Sequence, residues 1–163
     1  MRRLFWFSLC MIFIMATMSC SKNVGASLTK EAIGLVGKKV PSKGYYQDRS
    51  DKNAYYSFDF SDHSTPRRSY IGLILKNGVI DYTLLAITSE DEAVSRKEHE
   101  EVIAYLTKNG WVYDCEIPVG YSIQTYHKNK KGDLFVMMGE FIVASNASGS
   151  MFAFSAKDPY EVW

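Results

Sequence analysis

Asp59, Asp62 and His63 form the densest cluster of chemically capable side chains in this 163-residue chain. Two carboxylates beside an imidazole supply what general acid/base catalysis requires, and the same groups can ligate a divalent ion. They close an alternating run and enter residues 61–66, a stretch of Ser, Asp, His, Thr and Pro. Turns select these residue types for local hydrogen bonding alone. Zinc sites carry paired ligands at close, repeated spacing, whereas His63, His99 and His127 are scattered. The sequence therefore predicts no metal site, and nothing in it points to a cofactor. Asp48, Asp51 and Asn53 lack the alternate-residue spacing and central glycine of a calcium loop.

Cys115 could be a thiol nucleophile with one of the three histidines as its base. A reactive thiol needs exposure and a nearby cation, and Cys115 falls on the apolar side of an alternating segment, where a cysteine packs as a small hydrophobe. His99 lies at the edge of a helical apolar stripe, which predicts packing. There is no glycine-rich phosphate loop, Gly-x-Ser-x-Gly elbow or HExxH pair. What remains is aromatic. Tyr45, Tyr46, Tyr55, Tyr126, Tyr160 and Trp163 fall in loops, at outward strand positions or at the terminus, where such rings bind a protein or stack on sugars, or else pack on the sheet rim. Lys128, Lys130 and Lys131 read as a solvated turn that discourages edge pairing.

These side chains must be held by the elements around them. Ala32, Ile33 and Val36 have helical spacing behind Thr29 as an N-cap. Residues 54–60 alternate with Tyr56, Phe58 and Phe60 on one face, the period of a half-buried strand. Residues 69–76 and 79–88 flank Asn77-Gly78, the dipeptide that supplies the positive φ angles of a type I′ hairpin. Ser89 and Glu92 have the spacing of a capping box, and Val102, Ile103 and Leu106 continue a helix that ends near Lys108-Asn109-Gly110. Residues 111–117 alternate, with Trp111, Tyr113, Cys115 and Ile117 on one side, and Pro118 breaks the run. Residues 121–128, 134–145 and 151–156 complete the pattern, and no internal repeat is evident. The prediction is an α+β fold: an antiparallel meander of about seven strands against one main helix at residues 89–109, with a short N-terminal helix.

The first twenty residues carry a different message. Arg2 and Arg3 precede an uncharged apolar run that ends at Thr17-Met18-Ser19-Cys20, the layout of a secretory signal. This segment resembles bacterial lipoprotein signals of the relaxed kind common in Bacteroidota, with Ser19 and Cys20 matching the end of the lipobox and Thr17 and Met18 departing from it. The resemblance covers residues 1–23 and implies cleavage after residue 19 and acylation of Cys20. Two other readings share the segment: an uncleaved helix near the roughly 20 residues that cross a bilayer, and a plain cleaved signal. The resemblance also implies an envelope location. Ser21-Lys22-Asn23 offers neither an inner-membrane retention Asp nor an acidic export cluster, which favours the periplasmic side of the outer membrane over the cell surface.

Loss of residues 1–19 removes two of 19 Lys+Arg and none of 18 Asp+Glu, so a mature chain of 144 residues carries 17 against 18. That near-neutral balance argues against a nucleic-acid partner. Cys10 leaves with the signal and Cys20 is acylated, so Cys115 has no disulfide partner and stability must come from packing. The organisation expected is a signal at residues 1–19, a lipidated tether at 20–27, and one domain at 28–163. The function expected is a membrane-anchored envelope module that binds a protein or glycan without converting it, as an accessory, inhibitor or immunity-type protein. The alternative is a small hydrolase or glycan-modifying enzyme centred on Asp59, Asp62 and His63.

Overall fold

A computed structural model describes residues 23–59, 68–119 and 122–157. Helix α1 spans Val24–Leu35, and strands β1 (Tyr46–Gln47), β2 (Ala54–Tyr56), β3 (Tyr70–Lys76) and β4 (Val79–Ser89) follow. Helix α2 spans Glu92–Lys108 and leads to β5 (Val112–Val119), β6 (Ser122–Lys128), β7 (Phe135–Met138) and β8 (Ser148–Ser155). All eight strands join one antiparallel sheet in the order β1-β2-β3-β4-β8-β7-β6-β5. The α+β class is as expected. The sheet is two meanders rather than one, each a helix followed by four strands, and they meet where β4 pairs with β8. The repeat is in the architecture and has no counterpart in the residues themselves.

Local chemistry sets the element boundaries. Asn77 and Gly78 take φ values of 54° and 76° and bring Lys76 opposite Val79, the hairpin geometry their side chains permit. Asp91, not Ser89, caps α2: its carboxylate accepts from the Ala93 N–H at 2.9 Å, while the Ser89 hydroxyl accepts from the Asp91 N–H at 3.1 Å. The expected Ser89–Glu92 capping box is therefore not formed: the N-cap lies two residues later, and the third residue after it is Val94, which cannot reach back. Helix α1 starts inside the stretch expected to be a tether, because Gly25 sits where α1 meets α2. A Cβ on Gly25 would lie 2.2 Å from the Glu98 carbonyl oxygen, and its N–H donates to Glu101 Oε2 at 3.0 Å. Pro118 does not end β5. It is tolerated because β5 is the outer strand of the sheet, where a missing N–H costs no ladder bond.

The two helices pack together and cover one face of the sheet. Ile71, Leu73, Leu85, Ile87, Val136, Phe152 and Phe154 point toward them and are buried with Ala32, Val102 and Leu106. Trp111 closes one end, edge-on to Phe154 at 6.0 Å. Thr83, fully buried, donates to the Ala32 carbonyl at 3.2 Å and ties β4 to α1. His99 on α2 reaches Ser150 on β8, with Nδ1 2.7 Å from Oγ. Among the described residues no helix is long and apolar enough to cross a membrane.

Candidate binding site on the open sheet face

Side chains that alternate with this core lie on the opposite face, which neither helix covers. Cα partners place Cys115, Tyr126, Met137, Ala153, Leu84, Gly72, Tyr56 and Tyr46 in a single row that crosses all eight strands. The parallel row one pleat away is Lys128, Phe135, Ser155, Tyr82, Ile74 and Ala54. Gly72, Ala153 and Ser155 are short positions within these rows, set among larger neighbours. At Gly72 a Cβ would be 3.1 Å from Tyr56 Cε1, so the tyrosine ring lies against bare backbone, with Tyr70 edge-on to it at 6.3 Å. The result is a trough of about 480 Å³ floored by Leu84 and Ala153 and walled by Tyr82, Tyr126, Phe135 and Met137. Its size is that of ordinary small-ligand sites.

Two β-bulges shape the site. On β4 the register shifts so that Asp81 is the extra residue between the Ile74–Tyr82 and Leu75–Ile80 pairs. A bulge re-aims the side chain it carries, and Asp81 meets Lys157 beyond the end of β8, Nζ to Oδ1 2.5 Å. On β5 Asp114 is the extra residue between the Tyr113–His127 and Cys115–Tyr126 pairs, and it meets Lys128 at 2.5 Å. Both bulged positions hold an aspartate, and both pair with a lysine on the neighbouring structure. The phenols of Tyr56, Tyr70 and Tyr82 are all pushed above the ordinary tyrosine value, first by burial and then by neighbouring anions or another tyrosine. They are neutral donors at physiological pH.

The residues singled out in the sequence meet different fates. Tyr46 is exposed and belongs to the long row. Tyr45 packs on the core and donates to Glu31 Oε1 at 3.0 Å, and its ionisation is strongly suppressed by burial and by that carboxylate. Tyr55 faces the helices opposite Leu73. Tyr126, expected at an outward, accessible position, is only 4 % exposed, because Phe135, Met137 and the trough walls close around it; its hydroxyl donates to Gln124 Oε1 at 3.2 Å. Asp59 is exposed. Cys20, Asp62, His63, Tyr160 and Trp163 lie outside the described residues, and of the Asp59, Asp62 and His63 cluster only Asp59 is described. Cys115, expected with Trp111 and Tyr113 on one apolar face, lies on the other face from Tyr113: the Asp114 bulge flips the alternation, leaving Tyr113 edge-on to His127 at 5.9 Å and Cys115 half-buried opposite Tyr126.

Other polar groups are committed locally. Asp48 accepts from the Ser50 N–H and hydroxyl, both at 2.6 Å, which makes a turn and holds its carboxyl below the usual carboxylate range. The His99 and Ser150 pair sits on the helix face, the imidazole held between Phe141 and Phe152 at 5.5 and 5.4 Å. Burial lowers the His99 pKa, so the ring is neutral and the contact joins two uncharged groups. Among the described residues no group of three or more His, Cys, Asp or Glu is placed to hold a metal ion.

Tyr82, Phe135, Met137, Met151 and Lys157 were not picked out by motif. Their signal is a strand apolar on both faces: in residues 82–87, Tyr82, Leu84 and Ala86 alternate with Thr83, Leu85 and Ile87. One set serves the core, and the other must face something else. Comparison with known protein families, curated protein sequences and solved structures returned no match.

Proposed function

We propose that this chain is a lipid-anchored protein of the bacterial envelope that binds a protein or glycan partner through the open face of its sheet and does not convert it. The observation that carries the reading is the row on the open face from exposed Tyr46 through Tyr56 to Met137 at the edge of the trough. It is apolar surface that the fold does not use for its own core, and large patches of that kind mark interaction surfaces. Tyrosines suit recognition because each combines a rigid ring with a hydroxyl donor. The Ser19-Cys20 junction supports the anchor, and acylation by more than one chain gives stable membrane attachment.

Two measurements test it. Cys20→Ser should move the protein from the membrane to the soluble fraction; retention in the membrane rules out the acyl anchor. A photoreactive amino acid placed at Tyr56 should capture a specific partner in growing cells, while one at Glu100, exposed on the covered side, should not. Capture from Glu100 alone would move the binding surface to the helices.

A further inference from the structure

We propose that the trough holds a single aliphatic chain that ends in a carboxylate, as a free fatty acid does, with the head at Lys157 and the tail toward Met151. This rests on the open face being the binding surface. Polarity in the trough is segregated along its length. Asp81, Tyr82, Ser155 and Lys157 gather at one end, and Leu84, Ala153 and Met151 continue from them toward the other. From the Tyr82–Ser155 pair to the Ala86–Met151 pair is four residues, about 13 Å at strand rise.

The backbone cannot supply the missing polarity. β4, β8 and β7 are interior strands paired on both sides, so their N–H and C=O groups are spent in the ladder. A sugar or a peptide backbone lying along the trough would lose its water and find no hydrogen bonds, a cost that excludes it from the floor. An alkyl chain loses nothing there, and the thioethers of Met137 and Met151 adapt to its bends. The head end has the reverse character. Tyr82 and Ser155 offer hydroxyl donors, and the Lys157 ammonium, which faces both Asp81 oxygens, has a third N–H to give. Its counter-ion Asp81 is the more enclosed of the pair, with its side chain 22 % exposed against 35 % for Lys157. The outward member is therefore the cation, and a carboxylate is the head that completes it.

The test uses the full chain in its native membrane with a twelve-carbon carboxylate bearing a terminal photoreactive diazirine. Label should map to peptides from β4, β6, β7 and β8, which line the trough, and unlabelled dodecanoate should compete for it. Met151→Trp fills the tail end at a residue that is 42 % exposed, so the fold survives and labelling should be lost. Lys157→Met should weaken competition by dodecanoate about tenfold, the size of a lost charge-assisted bond, and leave competition by dodecanol unchanged. Label outside these strands, label retained in Met151→Trp, or dodecyltrimethylammonium competing as well as dodecanoate would each overturn the proposal. Partner capture at Tyr56 with no trough label overturns this ligand alone, whereas loss of both overturns the open face as the binding surface.

Discussion

Lys157 and Asp81 meet because a single residue is inserted into β4. The bulge at Asp81 turns its carboxylate toward the chain leaving β8, 76 residues away in sequence, and the ammonium lies 2.5 and 2.6 Å from its two oxygens. Ion pairs at this degree of exposure contribute little individually, since hydration competes with the Coulomb term. A double-mutant cycle of Asp81→Asn and Lys157→Met in urea should give a coupling of about 0.5–1 kcal/mol that shrinks at high salt. A coupling of zero would mean that the bulge, and not the pair, fixes the end of β8.

Close backbone approach makes a sharper prediction. A Cβ on Gly149 would lie 1.9 Å from the Ile87 carbonyl oxygen, and a strand in mid-sheet cannot withdraw. Gly149→Ala should cost about 3 kcal/mol or more, at or past the upper end of ordinary overpacking. Gly34 is the control: it lies on the exposed side of α1 with nothing within 4 Å of an added Cβ. Gly34→Ala should raise stability by about 0.5–1 kcal/mol through helix propensity. Denaturant midpoints of the two variants should therefore move in opposite directions.

Much of this architecture could be read from the residues, and the misses share a cause. Asn77-Gly78 with the runs that flank it and the apolar stripe of α2 are local signals, and each gave an element of the right type. Strand order is non-local: nothing in residues 79–89 says that their second neighbour is β8, the last of the described strands. Bulges are also set by pairing. The Asp114 insertion reverses the faces of Tyr113 and Cys115, and no periodicity within β5 reveals it. The trough was missed because its walls come from β4, β6 and β7, which meet only after the two meanders join.

Tyr126 tests whether the trough wall is structural or merely surface. Its hydroxyl bonds Gln124 at 3.2 Å, a neutral pair, so Tyr126→Phe should cost no more than about 0.5–1.5 kcal/mol. Tyr126→Ala removes a buried ring between Met137 and Cys115 and should cost about 2–3 kcal/mol. Equal, small effects in thermal or urea unfolding would place the ring in solvent.

Acid should loosen the fold before its carboxylates titrate. His99 and His127 both have pKa values lowered from the ordinary 6.5, His99 by burial and then by Arg96, partly offset by Glu100, and His127 by burial. The folded state thus binds fewer protons than the unfolded chain below that value. The stability is fully present above pH 6.5, the unfolded value, and is lost as pH falls through the lowered folded values. Melting temperature should fall from neutral pH to about pH 5, where carboxylates remain ionised. His127 Nδ1 is buried with no hydrogen-bond partner among the described residues, so its neutral form already carries an unmet polar cost. His127→Phe should keep the edge-on contact with Tyr113, raise stability at neutral pH and remove part of the acid slope. His99→Phe should remove the rest while leaving the Ser150 hydroxyl unpaired, so its gain at pH 5 comes with a loss at pH 7.5. If both variants keep the wild-type slope, the acid sensitivity belongs to the carboxylates instead.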